Sequence, residues 1–160
     1  MDPKARQVAL RKLPYGLFVI GLVDGDKVGA FTAAWISQCS FEPPLVMLAV
    51  KKGSLGHAMI EASRRFSVNV LAADQKEMAA HFFQQRPRSG NKLGAYAFTP
   101  GSGTGAPALD EAPAFAECQV KQVVPAGDHD VVIAEVVAVT VRRDAKPLLL
   151  QDTGFDYYGG

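Results

Sequence analysis

Residues 31–50 read Phe31-Thr32-Ala33-Ala34-Trp35-Ile36-Ser37-Gln38-Cys39-Ser40-Phe41-Glu42-Pro43-Pro44-Leu45-Val46-Met47-Leu48-Ala49-Val50. The stretch opens as a strand. Small hydroxyl and thiol residues then break its apolar pattern, Pro43-Pro44 stops it, and a second apolar run resumes as a strand. The middle piece is too polar for a simple core element and too apolar for a solvated loop. Such a segment suits the wall of a ligand site, where backbone N–H groups and short hydroxyls face an anion or a heterocycle.

On either side of this stretch, strands dominate. Residues 4–12 read as a short basic helix or arm, broken by Leu13-Pro14-Tyr15-Gly16. Leu17 to Val23 is rich in Val, Ile and Leu and reads as a strand. Asp24-Gly25-Asp26 is a hairpin turn, because Gly tolerates positive φ and the Asp side chains bond locally, and Lys27 to Ala34 returns. The continuous apolar run of Pro44 to Lys51 predicts a strand buried on both faces. Ser54 is placed as the N-cap of a helix with Leu55, Ala58, Met59 and Ala62 at helical spacing.

Phe66 to Leu71 is the next strand. Asp74 and Glu77 have the spacing of a capping box on a second helix, in which Met78 and Phe82 share a face. Residues 84–112 read as loop. Phe115 to Val124 and Val131 to Val141 are long strands joined by Pro125-Ala126-Gly127-Asp128. Pro147 to Leu150 is a short final strand before an aromatic tail of Phe155, Tyr157 and Tyr158. Hairpin-linked strands with both helices set between them favour a mainly β, antiparallel barrel with peripheral helices over alternating βαβ units. Neither a repeat nor a linker divides residues 1–160, which read as a single domain.

Composition narrows the function. The 160 residues carry 17 basic and 16 acidic side chains, for a net charge of +1. That balance gives no electrostatic basis for binding nucleic acid or an anionic membrane. A chain of this length buries roughly 70% of its unfolded surface and needs no staples. Its two cysteines, Cys39 and Cys118, read as free thiols of a reducing compartment. No apolar run approaches the roughly 20 residues of a bilayer span, and the polar N-terminus lacks a signal-peptide pattern, so the expected location is the cytoplasm.

Several chemistries are disfavoured by spacing. Gly101-Ser102-Gly103-Thr104-Gly105 is followed by Ala106-Pro107 and not by a helix, so it reads as a surface loop and not as a phosphate loop. His57, His81 and His129 stand in none of the usual metal-ligand spacings, and no metal is expected. A serine-hydrolase elbow is absent. The basic loop from Arg86 to Lys92 has no aromatic ladder and reads as a solvated face.

Two other features are more informative. Lys51-Lys52-Gly53-Ser54 precedes a helix whose N-terminal N–H groups suit a phosphate, although Ser54 also reads as a plain cap with solvated lysines beside it. Gly127-Asp128-His129 sits at a hairpin mouth. It reads either as a turn or as a site where His129 orders a ring or donates to a ligand carbonyl.

In their linear order these segments resemble the flavin reductase-like family, the FMN-binding split barrels. Residues 29–44 resemble its small-polar segment ending in a Pro-Pro strand start, and Phe66-Ser67-Val68-Asn69-Val70-Leu71 resembles its F-x-x-N-x-L strand. Pro107-Ala108-Leu109 and Ala116-Glu117-Cys118-Gln119-Val120 resemble its later A-x-x-E-C strand. Gly127-Asp128-His129 with Ala134-Glu135-Val136 resembles its GDH and GEV signature, with Ala134 replacing a Gly. Trp35-Ile36-Ser37-Gln38 is also similar to the C-terminal reductase module of diflavin flavoproteins.

The resemblance implies a six-stranded Greek-key split barrel that dimerises with itself and binds FMN near the subunit interface. It implies an NAD(P)H-dependent FMN reductase, with NADH or NADPH as co-substrate and hydride passing from nicotinamide C4 to flavin N5. Carried over by motif, Thr32, Ala33, Ala34 and Trp35 contact the isoalloxazine or ribityl chain, and Ser37, Cys39 and Ser40 lie in the same cofactor-facing stretch. Lys51, Ser54 and His57 are the phosphate candidates. His129 is the catalytic candidate, as an orienting group beside the docked nicotinamide and not as an acid.

Many members carry Asn or Ser where this chain has Ala34 and Trp35, which shifts hydrogen bonding onto the backbone. Trp35 reads equally as a stacking or an interface aromatic. A flavin-accepting oxygenase or a flavodiiron protein is the implied partner. The alternatives are an electron-transfer flavoprotein that holds FMN tightly and is reduced by a protein partner, and a split-barrel flavin or haem carrier without turnover; a haem axial-ligand pattern is not present.

Overall fold

The computed structural model describes residues 1–156, so Tyr157 and Tyr158 of the expected aromatic tail lie outside the described residues. The helices are α1 (Pro3–Leu10), α2 (Leu55–Ser63) and α3 (Lys76–His81). The first strands are β1 (Phe18–Asp24), β2 (Lys27–Ala33), β3 (Ile36–Ser40), β4 (Leu45–Lys51) and β5 (Arg65–Val70). The later ones are β6 (Arg88–Ser89), β7 (Lys92–Leu93), β8 (Tyr96–Pro100), β9 (Pro107–Leu109), β10 (Ala114–Pro125) and β11 (His129–Val141). A large antiparallel sheet runs β2-β1-β5-β10-β11-β4-β3, and β6 to β9 form a second, small sheet.

The main sheet has seven strands where six were expected. The additional strand is β3, the polar segment Ile36–Ser40. Its side chains are half-buried or exposed because it pairs with β4 alone at the sheet edge. An edge strand carries no apolar alternation, so its sequence reads as an interruption and not as a strand.

Two-sided burial belongs to β1 and not to β4. Val19 and Ile20 are both fully buried and join different core clusters, one on each face of the sheet. Val19 packs with Leu71, Phe82 and Leu109, and Ile20 with Leu48, Ile60 and Phe66. Each such large side chain contributes about 1.5–3 kcal/mol on burial. In β4 only Leu48 and Val50 are buried, while Met47 is exposed, because the strand lies next to the edge.

The β1–β2 hairpin turns at Gly25, whose φ of +57° needs a residue without Cβ strain. The α2 helix docks through Gly56, Met59 and Ile60, while Leu55, Ala58 and Ala62 face outward. Gly56 is required there, since a Cβ would lie 2.7 Å from the Phe31 ring. Asp74 does not cap α3. Gln75 holds the N-cap position, and its amide binds Ala72 N and Glu111 O instead. Residues 147–150 make isolated bridges to Ala72 and Gly16 and then a 3-10 turn, not a full strand.

Two buried polar side chains lock the small sheet to the large one. Asn69 on β5 donates to Val19 O and Pro107 O and accepts from Leu109 N at 2.7 Å, tying β1, β5 and β9 together. Glu117 on β10 accepts from Gly103 N at 2.9 Å, Thr104 N at 2.6 Å and Thr104 Oγ1 at 2.8 Å. The glycine-rich loop therefore wraps a carboxylate of the chain itself. Its N–H groups at Gly103 and Thr104 are engaged there, in keeping with a loop that does not hold phosphate.

Candidate active site

A cavity of about 390 Å³ opens between the end of β2, the β4–α2 junction and the residues after α3. One wall is Thr32, Ala33, Ala34 and Trp35. The β2 ladder ends at Ala33, which pairs with Phe18 at the start of β1, and the chain turns along the cavity through Ala34 and Trp35 before β3 begins. Thr32 is anchored from behind: its Oγ1 donates to Ala79 O at 2.7 Å and its N–H to Phe82 O at 3.1 Å. Both donors of Thr32 thus hold the end of α3, leaving its hydroxyl oxygen to accept from a ligand.

Lys51, Ser54 and Gly56 form a second side of the cavity. Gly53, at φ +73°, turns the chain from β4 into α2, and Ser54 Oγ caps the helix by accepting from His57 N at 3.1 Å. A helix N-terminus with Lys51 beside it suits an anionic group. Lys52 is directed elsewhere. Its Nζ binds Gly127 O at 3.0 Å, Ala126 O, and Asp130 Oδ1 at 3.2 Å.

Of the residues singled out from sequence, Thr32, Ala33, Ala34, Trp35, Lys51 and Ser54 line the cavity. Ser37, Cys39 and Ser40 do not; they lie along β3, where Ser37 Oγ bonds Gln38 O. His57 points beneath the cavity to Asp130, Nε2 to Oδ2 at 2.8 Å. His129 does not line the cavity either. Its ring rests against that of Trp35, centroids 4.8 Å apart. His129 Nδ1 is 2.8 Å from Asp128 Oδ1, and Nε2 is buried with no partner among the described residues.

The charges around this corner shape its acids. The hydrogen bond from His129, then the His129 charge, hold the Asp128 carboxyl below its usual range. The hydrogen bond from His57, with Lys52 and Ala126 N, does the same for Asp130. His57, Glu61 and Asp130 bring three possible metal-ligand atoms within 4.8 Å of one another. His57 and Glu61 are one helical turn apart, but Asp130 is too distant in sequence for a spacing motif to reveal the group. The Lys52 ammonium on the same Asp130 carboxylate opposes a further cation, so the group reads as a charge network. Burial and then Glu117 push the Cys118 thiol up to about 12, which makes it an inert core residue.

Phe83 and Gln85 complete the cavity from the far side and were not singled out from sequence. A sign of Phe83 was present. Met78 and Phe82 face the core, so the next residue leaves that face, and an exposed Phe there needs a reason. It packs edge-to-face on Phe155, centroids 4.9 Å apart. Asp130 gave no local sign, and Lys52, grouped from sequence with the helix entry that suits a phosphate, binds Asp130 and the 126–127 carbonyls instead.

A cavity of this size, with aromatic and apolar walls and a few directed polar groups, fits a flat heterocycle carrying an anionic tail. Comparison with known proteins agrees. The family model described as "Flavin reductase like domain" matches residues 10–159. The chain is 33% identical over 159 residues to the flavin-dependent monooxygenase reductase subunit HsaB of Mycobacterium tuberculosis, covering 99% of this chain and 83% of that one. It is 31% identical over 152 residues to an NADH:riboflavin 5'-phosphate oxidoreductase of Streptomyces pristinaespiralis, covering 94% and 84%. It also matches diflavin flavoprotein A 1 of Synechocystis at 30% identity over 129 residues, which cover 80% of this chain and 22% of that one. The solved structure of NADH:FAD oxidoreductase SgcE6 from Streptomyces globisporus superposes with a TM-score of 0.84 at 29% identity, covering 100% and 97% of the two chains. The protein belongs to the flavin reductase-like family.

Proposed function

We propose that the protein is an NADH-dependent flavin reductase that binds FMN in the cavity between Trp35 and the α2 N-terminus. The observation that carries this is the joining, in one cavity, of an aromatic wall and a capped helix N-terminus with a lysine beside it. NADH is favoured over NADPH because similar proteins are named as NADH-dependent, and FMN because one is named for riboflavin 5'-phosphate. FAD is the competing flavin, as the substrate that SgcE6 is named for.

The flavin supplies the redox chemistry by accepting a hydride at N5 from C4 of the nicotinamide. The chain's own work is binding and orientation. Lys51 and the α2 N-terminus hold the phosphate. Thr32 to Trp35 form the wall against the ring system, and backbone N–H groups beyond Thr32, whose own N–H bonds Phe82 O, would stabilise negative charge near N1 and the C2 carbonyl. Apolar Leu17, Phe31 and Leu150 keep water from the reacting face. His129 orients Trp35 and the nicotinamide beside it and moves no proton.

We read the curled main sheet as the split barrel of the family, and a homodimer as its working form. Met47 on β4 and Val137, Val139 and Val141 on β11 are exposed apolar side chains on neighbouring strands, a surface that a second copy would cover. A flavin-accepting oxygenase is the proposed electron acceptor, by analogy with the monooxygenase subunit HsaB.

The test is anaerobic mixing of the protein and FMN with NADH, and separately with NADPH, followed by loss of the visible flavin absorbance. The expected result is rapid bleaching by NADH and slow bleaching by NADPH. Tight FMN binding with no bleaching by either nucleotide would point instead to a flavoprotein reduced by a protein partner.

A further inference from the structure

Asp130 is almost fully buried at the start of β11, paired with Val50 of β4, and its own side chain does not line the cavity. Its Oδ2 meets His57 Nε2 at 2.8 Å. Its Oδ1 meets Lys52 Nζ at 3.2 Å and accepts from Ala126 N at 3.3 Å. Lys52 in turn donates from Nζ to Gly127 O at 3.0 Å and to Ala126 O, and from its backbone N to Asp128 O at 3.0 Å. Residues 126, 127 and 128 are therefore all tied to Asp130 or to the lysine it binds. This is the turn that delivers His129, whose ring supports Trp35. A turn containing Gly127 has backbone freedom to lose, and a buried carboxylate bonded to both the Lys52 ammonium and the His57 ring is a strong device for restricting it. His57 extends the network to the cavity's other side, because its own N–H bonds the Ser54 cap of α2.

We propose that Asp130 is a positioning residue of the active site: through Lys52 and His57 it fixes the 126–129 turn and so sets the His129–Trp35 pair at the cavity wall. The proposal rests on the flavin reductase reading above. Asp130 contacts neither flavin nor nicotinamide in this account and acts only through His129. Losing its charge leaves the Lys52 and His57 side chains without their shared partner and lets the turn relax.

The test is Asp130→Asn in the full chain, measured three ways: FMN affinity, NADH-dependent flavin reduction, and emission of Trp35, which is the chain's one tryptophan. The expected result is a roughly tenfold fall in kcat/KM for NADH, FMN affinity within about twofold of wild type, and altered Trp35 emission. In a His129→Ala background the same substitution should cost less than about twofold, because the route through His129 is already broken. Unchanged kinetics and emission in a folded variant would overturn the proposal. So would an equal loss in both backgrounds, or FMN affinity and NADH kinetics falling by one common factor. Should Asp130→Asn not fold, Lys52→Met carries the test with the same expected pattern. If wild-type protein with FMN does not oxidise NADH, the flavin reductase reading fails by itself, and the Trp35 emission of the variant still decides whether Asp130 positions that wall.

Discussion

The His129 imidazole packs on the Trp35 indole with ring centroids 4.8 Å apart and planes tilted by 51°. Only the indole reaches the cavity. The histidine is thus a support for the aromatic wall, held in turn by Asp128 at 2.8 Å. Trp35→Leu should weaken FMN binding by roughly tenfold, the scale of one lost aromatic contact, whereas Trp35→Phe should retain most of the affinity. Equilibrium titration of FMN into each variant checks this. Equal affinity in the Leu variant would place the flavin elsewhere.

Gly56 gives a second handle on the same cavity. An added Cβ would lie 2.7 Å from Phe31, a cavity residue, so Gly56→Ala must push that ring or the helix. A loss of about 1–3 kcal/mol in denaturant unfolding is expected, accompanied by weaker FMN binding. A surface glycine such as Gly25 would change stability without touching binding, because nothing lies near its missing Cβ.

Glu117 separates the glycine-rich loop from ligand chemistry. Its carboxylate accepts three bonds from Gly103 and Thr104. Glu117→Gln should cost about 2 kcal/mol in denaturant unfolding, the scale of a hydrogen bond to a buried charged group. FMN affinity should stay within about twofold, as expected of a site remote from that loop. A large loss of affinity with little loss of stability would contradict the reading of this loop as one that holds no phosphate.

His81 makes stability fall in mild acid. Burial, then the charge of Arg86, lowers its pKa from the ordinary 6.5. Its Nε2 also accepts from Ala95 N at 3.3 Å, a bond that protonation breaks. Below 6.5 the unfolded chain takes up a proton that the folded chain refuses. Stability is therefore full above that value and declines as pH falls towards the folded pKa. His81→Gln should flatten the pH dependence of the unfolding midpoint in that window, as read by denaturant titrations at several pH values.

Val139 tests the dimer. It is two-thirds exposed on β11, with Val137 and Val141 near it. Val139→Asp should shift sedimentation from dimer to monomer, because an unpaired charge in an apolar interface is costly. A wild-type chain that already sediments as a monomer contradicts the proposed homodimer.

The hairpins and long strands were legible because their signals are local. Gly25 needs positive φ, and β10 and β11 flank a turn with Pro125 and Gly127. The cavity wall from Thr32 to Trp35 was reached through the family resemblance, whereas the polar residues that break the strand pattern, Ser37 to Ser40, lie on β3 and do not line the cavity. Strand β3 was not, since a polar edge strand owes its existence to the neighbour β4. The Asp74 cap failed for a related reason: Gln75 takes the N-cap position, its side chain held locally by Ala72 N and across the fold by Glu111 O. His57 and Lys52 were drawn to Asp130, more than seventy residues away, and no spacing rule reaches that far.

The central claim is that flavin lies against Trp35 and is reduced there by NADH. The most direct measurement is anaerobic titration of FMN into the wild-type protein with Trp35 emission followed, then addition of NADH with flavin absorbance followed in the same cuvette. The account predicts saturable quenching of Trp35 as FMN binds and bleaching of the bound flavin on adding NADH. Flavin binding that leaves Trp35 emission unchanged, or quenching with no bleaching by NADH, would contradict it.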